Sequence, residues 1–120
     1  MKQLITITSA LSDETRLRAL LLLRDGELCV CQVIDTLGLS PSNISRHMTL
    51  LYQAGLVERR KEGKWHYYRL ASDDAPAIVK DALAWVLSNT KNDPAALQDS
   101  AQACCVKSKP LAEACACYRN

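Results

Sequence analysis

The chain has 120 residues, of which 48% are hydrophobic and 23% charged, with a formal net charge of +2; this is the composition of one globular domain large enough to bury a core. No apolar run reaches the roughly 18 residues a membrane span needs, and "MKQLITITSAL" carries no small-residue cleavage pattern, so a soluble cytoplasmic protein without a leader and without a membrane partner is expected. In a reducing cytosol the six cysteines read as ligands or redox thiols rather than as three disulfides.

Along the chain, "LITITSAL" fits strand or helix, its β-branched residues pulling toward strand. "SDETRLRALLLLRDGE" predicts a helix with Ser12 as N-cap, Asp13 and Glu14 in the first turn and Gly26 as its end, its apolar face built on Leu17, Leu20 and Leu21. Val30, Val33, Ile34 and Leu37 then fall at helical spacing before Gly38. A second helix follows, capped by Ser40, with Pro41 at its first position and Ile44, Met48 and Leu51 as its buried stripe. Two helices joined by a short turn with a glycine form a helix-turn-helix layout. "LVERRKEGKWHYYRL" alternates around Gly63 as a β-hairpin, and "APAIVKDALAWVLSNT" returns to helical spacing through Ile78, Val79, Leu83, Val86 and Leu87. The expected fold is mainly α with a small β-hairpin, a winged helix-turn-helix over residues 1–90. A cysteine-rich C-terminal tail, 91–120, is expected to pack less firmly.

Charge is unevenly placed. Residues 1–39 hold four Lys/Arg against five Asp/Glu, residues 40–70 six against two, and residues 71–120 five against six. A local basic stripe on a near-neutral chain points to a polyanion contact made by one face. Ser42, Asn43, Ser45, Arg46 and Thr49 lie off the Ile44/Met48/Leu51 stripe, where short polar side chains and an arginine can read base edges in a major groove. Arg59, Arg60, Lys61 and Lys64 gather at the hairpin, the position of a wing on the phosphate backbone or in the minor groove. His47 sits at the core edge, in a packing or phosphate role. Neither His47 nor His66 has a Cys/Asp partner pattern, so an enzyme is not expected.

Cys29 and Cys31 stand two apart in what reads as a helix. At about 100° per residue their side chains diverge to opposite edges of the Val30/Val33/Ile34/Leu37 stripe. Closing both sulfurs on one soft atom would then unwind the turn and displace Ser42 to Thr49 from the groove. The helix N-terminus is expected to lower the thiol pKa. Cys104, Cys105, Cys115 and Cys117 in the polar tail have no packing reason to be there; together they can hold a thiophilic metal or oxidise in pairs.

"ALSDETRLRALLLL", "ELCVCQVIDTLGLSPSNISRHMTLLYQAGLVERRKEGKWHYYRL" and the closing helix together resemble the ArsR/SmtB family of bacterial metal-sensing repressors over residues 4 to about 90. The resemblance implies a homodimer whose interface is the first helix and the "APAIVKDALAWVLSNT" helix. It implies binding to double-stranded DNA at a palindromic operator in the promoter of its own operon, with release when a metal or metalloid binds. In that family "ELCVC" followed by an aspartate, a leucine and a third cysteine marks sensors of arsenite and antimonite, so As(III) or Sb(III) is the implied inducer and no cofactor is required. This chain keeps Cys29 and Cys31 but has Ile34 where the third thiol falls. The third ligand is left to Cys104, Cys105, Cys115, Cys117, water or a small thiol. The family's zinc sites on the last helix use Asp, His and Glu; here that helix has Asp81 and no histidine, which disfavours a zinc sensor of that type. The alternatives are a thiol-based repressor answering to cadmium, lead, zinc or oxidants, and a protein that sequesters thiophilic metals.

Overall fold

The computed structural model describes residues 1–110. In chain order the elements are α1 (Lys2–Leu11), α2 (Glu14–Leu22) with a 3-10 turn at Leu23–Asp25, β1 (Leu28–Cys29), α3 (Val30–Leu37), α4 (Pro41–Gln53), β2 (Val57–Glu62), β3 (Trp65–Leu70), α5 (Ala77–Asn89) and α6 (Pro94–Lys107). None of these helices is long and apolar enough to cross a membrane.

The first segment corrects the pull toward strand. Its threonines accept a helix because their hydroxyls donate to the preceding turn, Thr6 to the Lys2 carbonyl at 3.0 Å and Thr8 to that of Leu4 at 2.9 Å. Burial of Ile7 and Ala10 on one side then outweighs β propensity. Asp13, one residue beyond the expected Ser12, caps α2 by accepting the Arg16 amide. Arg16 in turn closes α1: its guanidinium donates to the carbonyls of Ala10 (2.9 Å) and Ser9 (3.2 Å) and, at 3.2 Å, to His47 Nδ1. As acceptor from a cation, Nδ1 must be unprotonated, and burial holds the His47 pKa below the usual histidine range. His47 is thus a core residue of α4, 6% exposed.

Leu20, Leu23, Leu28, Val33, Ile44, Met48, Leu51 and Leu56 form the centre of one core. A fully buried leucine contributes roughly 1.5–3 kcal/mol. The helices carry small residues where they approach one another, and this is clearest in α6. Ala96, Asp99, Ala103 and Val106 face inward, against α2 and α3. Arg18 on α2 grips Asp99 with both ends of its fork, at 2.8 and 2.9 Å, and Arg24 reaches Ser100 at 2.8 Å. Residues 94–107 therefore pack firmly, contrary to the loose packing expected of them: two alanines let the backbone come close, and the one buried carboxylate meets an arginine 81 residues earlier.

The hairpin is present with Gly63 in the left-handed region at its tip, φ 61°. The sheet has a third strand that the sequence did not announce: β1 joins it in the order β1-β3-β2. Cys29 lies opposite Tyr67, and Tyr67 opposite Arg60, so these three side chains share one sheet face while Leu28, Tyr68 and Arg59 share the other.

Glu58 closes the base of this hairpin. It accepts from the Ser72 amide (3.0 Å) and hydroxyl (2.8 Å) and from Arg69 (2.9 Å), which together bring its pKa down to about 2. Because the folded pKa is depressed, its stabilising contribution is present above the ordinary value near 4.5 and is lost as pH falls through about 2. Glu58→Gln is expected to lower the urea midpoint at pH 7, with the difference from the parent shrinking below pH 4 and gone near pH 2. An undiminished difference at pH 2 would contradict this assignment.

Candidate functional site

Two features stand out: the exposed face of α4 with the wing beside it, and the cysteine pair at the start of α3. On α4, Pro41 occupies the first turn and the Ser40 side chain accepts the Asn43 amide at 3.3 Å. Ile44, Met48 and Leu51 are fully buried, which turns the other side of the helix outward. Ser42 and Arg46 are exposed, and Asn43, Ser45 and Thr49 are half-buried on the same outer side. Arg46 donates to Asn43 Oδ1 at 3.0 Å, and Thr49 to the Ser45 carbonyl at 2.9 Å. The first contact holds the guanidinium along the helix with donors still free for a base edge.

The four wing cations do not act as one group. Arg59 lies over the Tyr52 ring, 3.9 Å from its centroid, on the sheet face shared with Leu28. Arg60 lies on the opposite face, over Tyr67 at 4.4 Å. It is gripped by Glu27 through two bonds of 2.7 and 2.9 Å and by Glu62 at 2.7 Å. The Glu62 side chain is largely exposed and that of Glu27 less so, and the two carboxylates neutralise Arg60 as a phosphate ligand in this conformation. Lys64 stands 5.7 Å from the Trp65 ring. Lys61 is exposed and has no side-chain partner among the described residues.

Cys29 and Cys31 are brought together. Their sulfurs are 2.8 Å apart, and both residues are buried, at 0% and 1% exposure. The expected divergence assumed that both are helical, but Cys29 is the N-cap of α3 with extended backbone, φ −69° and ψ 145°. That conformation swings its side chain over the first turn, where Cys31 sits. A capping box holds it there: the Gln32 side-chain carbonyl accepts the Cys29 amide at 2.9 Å. Two thiolates sharing a tetrahedral zinc at about 2.3 Å each stand roughly 3.8 Å apart. The observed 2.8 Å is about 1 Å short of that spacing.

The expectation of a lowered thiol pKa also needs correction. Burial pushes the Cys29 thiol up, and the backbone amides of the α3 start oppose this without overcoming it. Trp65 and Tyr67 pack against the cysteine pair, which thus lies under an aromatic wall from the wing. Ile34, at the place of the missing thiol, is buried in the main core. Cys104 and Cys105 are exposed on α6. Cys115 and Cys117 lie outside the described residues. Among the described residues no three His, Cys, Asp or Glu side chains are grouped to hold a metal ion.

Glu27 and Tyr52 are the parts of these sites that the sequence reading left unassigned; Trp65 and Tyr67, read there as packing residues, do pack, against the cysteine pair. Glu27, two residues before Cys29, carried the only available signal; its partner Arg60 is 33 residues away.

Comparison with known proteins agrees with this geometry. Residues 13–59 match the family described as bacterial regulatory protein, arsR family. The arsenical resistance operon repressor of Escherichia coli K12 is 50% identical over 68 residues, which are 56% of this chain and 58% of that protein. The cadmium resistance transcriptional regulatory protein CadC homolog of Staphylococcus aureus is 40% identical over 77 residues, 63% of this chain and 64% of that one. The chain thus spans less than two thirds of these relatives' length. The solution structure of a homodimeric winged helix-turn-helix DNA-binding domain from Mycobacterium bovis, a possible ArsR-family regulator, superposes with a TM-score of 0.61 at 31% identity; the match covers 75% of this chain and 82% of that one. The relatives and the winged-helix fold are those of transcription regulators and not of enzymes, and the chain belongs to the arsR family of DNA-binding winged helix-turn-helix proteins.

Proposed function

We propose that this protein is a cytoplasmic repressor that binds a palindromic operator as a homodimer and lets go when its cysteine thiolates capture arsenite or antimonite. The observation that carries this reading is the 2.8 Å approach of the Cys29 and Cys31 sulfurs at the start of the helix that packs against α4. Two convergent sulfurs suit a soft, thiophilic centre. In this reading residues 1–90 bind DNA and dimerise, residues 91–120 bring further thiols, and no cofactor is needed. Ser42, Asn43, Ser45, Arg46 and Thr49 face bases, with Arg59, Lys61 and Lys64 on the backbone. Arg60, held by Glu27, links the wing to the thiol end of the sheet.

The chemistry follows from connectivity. Cys29 belongs both to the α3 cap and to the sheet opposite Tyr67. Opening the sulfur pair moves β1 against β3, and with it the Glu27–Arg60 grip and the wing. The same displacement presses on α4 through α3. A bound metalloid thus favours one arrangement of a two-state element that the operator opposes.

A dimer is supported by an apolar face on α1 and α5. Leu4 is 49% exposed and Trp85 66%, and they line a groove together with Leu11, Ile78 and Ala82. Trp85→Glu is expected to convert the dimer to a monomer by sedimentation velocity at micromolar concentration and to weaken operator binding, because two recognition helices no longer act together. A dimer unchanged by this substitution would remove the α1/α5 interface from the account.

Cadmium as the inducer is the second reading, favoured by the 40% identity to a cadmium resistance regulator. A reporter driven by the protein's own promoter separates the two: induction is expected with arsenite and antimonite at lower concentration than with cadmium. Induction by cadmium alone would select the second reading. No repression at all would leave metal sequestration, with the winged helix serving assembly.

A further inference from the structure

We infer that Glu27 limits the grip on DNA by holding Arg60 back from the phosphate backbone, so that the wing binds with one cation fewer than its sequence carries. This limit presupposes that the chain is an operator-binding repressor, the reading proposed above, and is independent of which inducer it answers to.

Three observations place Arg60 out of reach. First, its guanidinium is already filled: Nε and Nη2 donate to the two oxygens of Glu27 at 2.9 and 2.7 Å, and Nη1 donates to Glu62 at 2.7 Å. A carboxylate held by both ends of the fork occupies the donors that would otherwise grip a phosphate. Second, the side chain is turned inward over the sheet. Arg60 lies on the edge strand β2 opposite Tyr67 of β3, and Tyr67 lies opposite Cys29 of β1. The guanidinium stands 4.4 Å from the Tyr67 ring centroid and meets Glu27 just ahead of β1, so the arginine reaches across β3 toward β1. Third, the two acids repel a phosphate brought to this face. The Arg60 hydrogen bonds hold the Glu27 carboxyl below the ordinary carboxylate range, which keeps it charged at neutral pH.

Glu27 is the holder, more than Glu62. It makes two of the three bonds, and its side chain is 29% exposed against 68% for Glu62; a single exposed pair exchanges easily for another anion. Arg59, Lys61 and Lys64 have no ion pair among the described residues. Because Glu27 stands two residues ahead of Cys29, the charge the wing can offer is tied to the strand that carries this cysteine.

The test is anisotropy of a labelled duplex of the protein's own promoter, titrated with full-length protein at salt concentrations from about 50 to 200 mM. The proteins are the parent, Glu27→Gln, Arg60→Gln and the double variant. The substituted amide at position 27 still offers an oxygen to the guanidinium but no charge. Glu27→Gln is expected to bind about threefold or more tighter at the low-salt end. Its plot of log affinity against log salt should be steeper by up to about 1.8, for two further phosphate contacts per dimer at about 0.9 each. A random-sequence duplex should show the same steepening, since phosphate contacts carry no sequence information. With Arg60→Gln in both proteins compared, the steepening from Glu27→Gln is expected to vanish, because no withheld cation remains. Equal steepening with and without Arg60 would show a general loss of repulsion and overturn the inference. Unchanged or weaker binding by Glu27→Gln, with or without a lower urea midpoint, would overturn it as well and make the pair a brace of the wing. A parent that does not bind the promoter duplex at all would overturn the repressor reading instead.

Discussion

Cys29→Ser/Cys31→Ser is expected to stay on its operator in arsenite concentrations at least about a hundredfold above those that release the parent, a loss of roughly 2.7 kcal/mol or more of inducer coupling. Among the described residues these sulfurs are the soft donors at the start of α3, and a serine hydroxyl is a hard, weakly acidic oxygen that does not replace a thiolate on a trivalent metalloid. The fold should survive the change. Serine is nearly isosteric with cysteine, and at position 29 it is the better N-cap, able to accept the Gln32 amide while Gln32 accepts its own. At position 31 the new hydroxyl lies against Trp65 and Tyr67, which costs some stability. Operator affinity without arsenite is therefore expected within about twofold of the parent, since neither residue is on the α4 face. Release of the variant at the parent's arsenite concentration would show that these thiols are not the sensor.

Arg46→Ala is expected to weaken operator binding at least roughly thirtyfold. One bidentate arginine–guanine contact is worth about 1–3 kcal/mol, and a symmetric dimer on a palindrome makes it twice, giving about 2–6 kcal/mol. The side chain is exposed and its hydrogen bond among the described residues is to Asn43, so the unfolding midpoint should hardly move. Arsenite uptake should be unchanged as well, because Arg46 is on α4 and the sulfurs are at the opposite end of α3. Measured by anisotropy of a labelled operator, unchanged affinity would remove Arg46 from the base-reading set and shift the weight to Asn43 and the wing.

Much of this was legible in the chain because local chemistry and tertiary packing agree there. Pro41 at a first helical position, Gly38 after Leu37 and the Ile44/Met48/Leu51 stripe each specify α4 and its turn without reference to the rest. Gly63 between two alternating runs does the same for the hairpin. What escaped was decided by partners far away in sequence. The helix α1 is β-branched and becomes helical because Ile7 and Ala10 find α2 and α5. The packing of α6 depends on Arg18 meeting Asp99. The thiol geometry was misread for a more local reason: Leu28 and Cys29 pair with Tyr68 and Tyr67, which keeps Cys29 extended and makes it a cap. A shift of one residue in the helix start changed two divergent sulfurs into a convergent pair. Arg60 belongs to the same lesson, since its neutralisation by Glu27 and Glu62 needed the register of all three strands.

The central claim is that capture of arsenite by the α3 thiols and occupancy of the operator exclude one another in this chain. Its most direct test is a titration of arsenite into the reduced full-length protein bound to a fluorescent duplex of its own promoter, followed by anisotropy. A fall to the value of free DNA is expected at stoichiometric arsenite, reversed by excess dithiol. Anisotropy that stays at the bound level while arsenic is shown by analysis to be on the protein would contradict it.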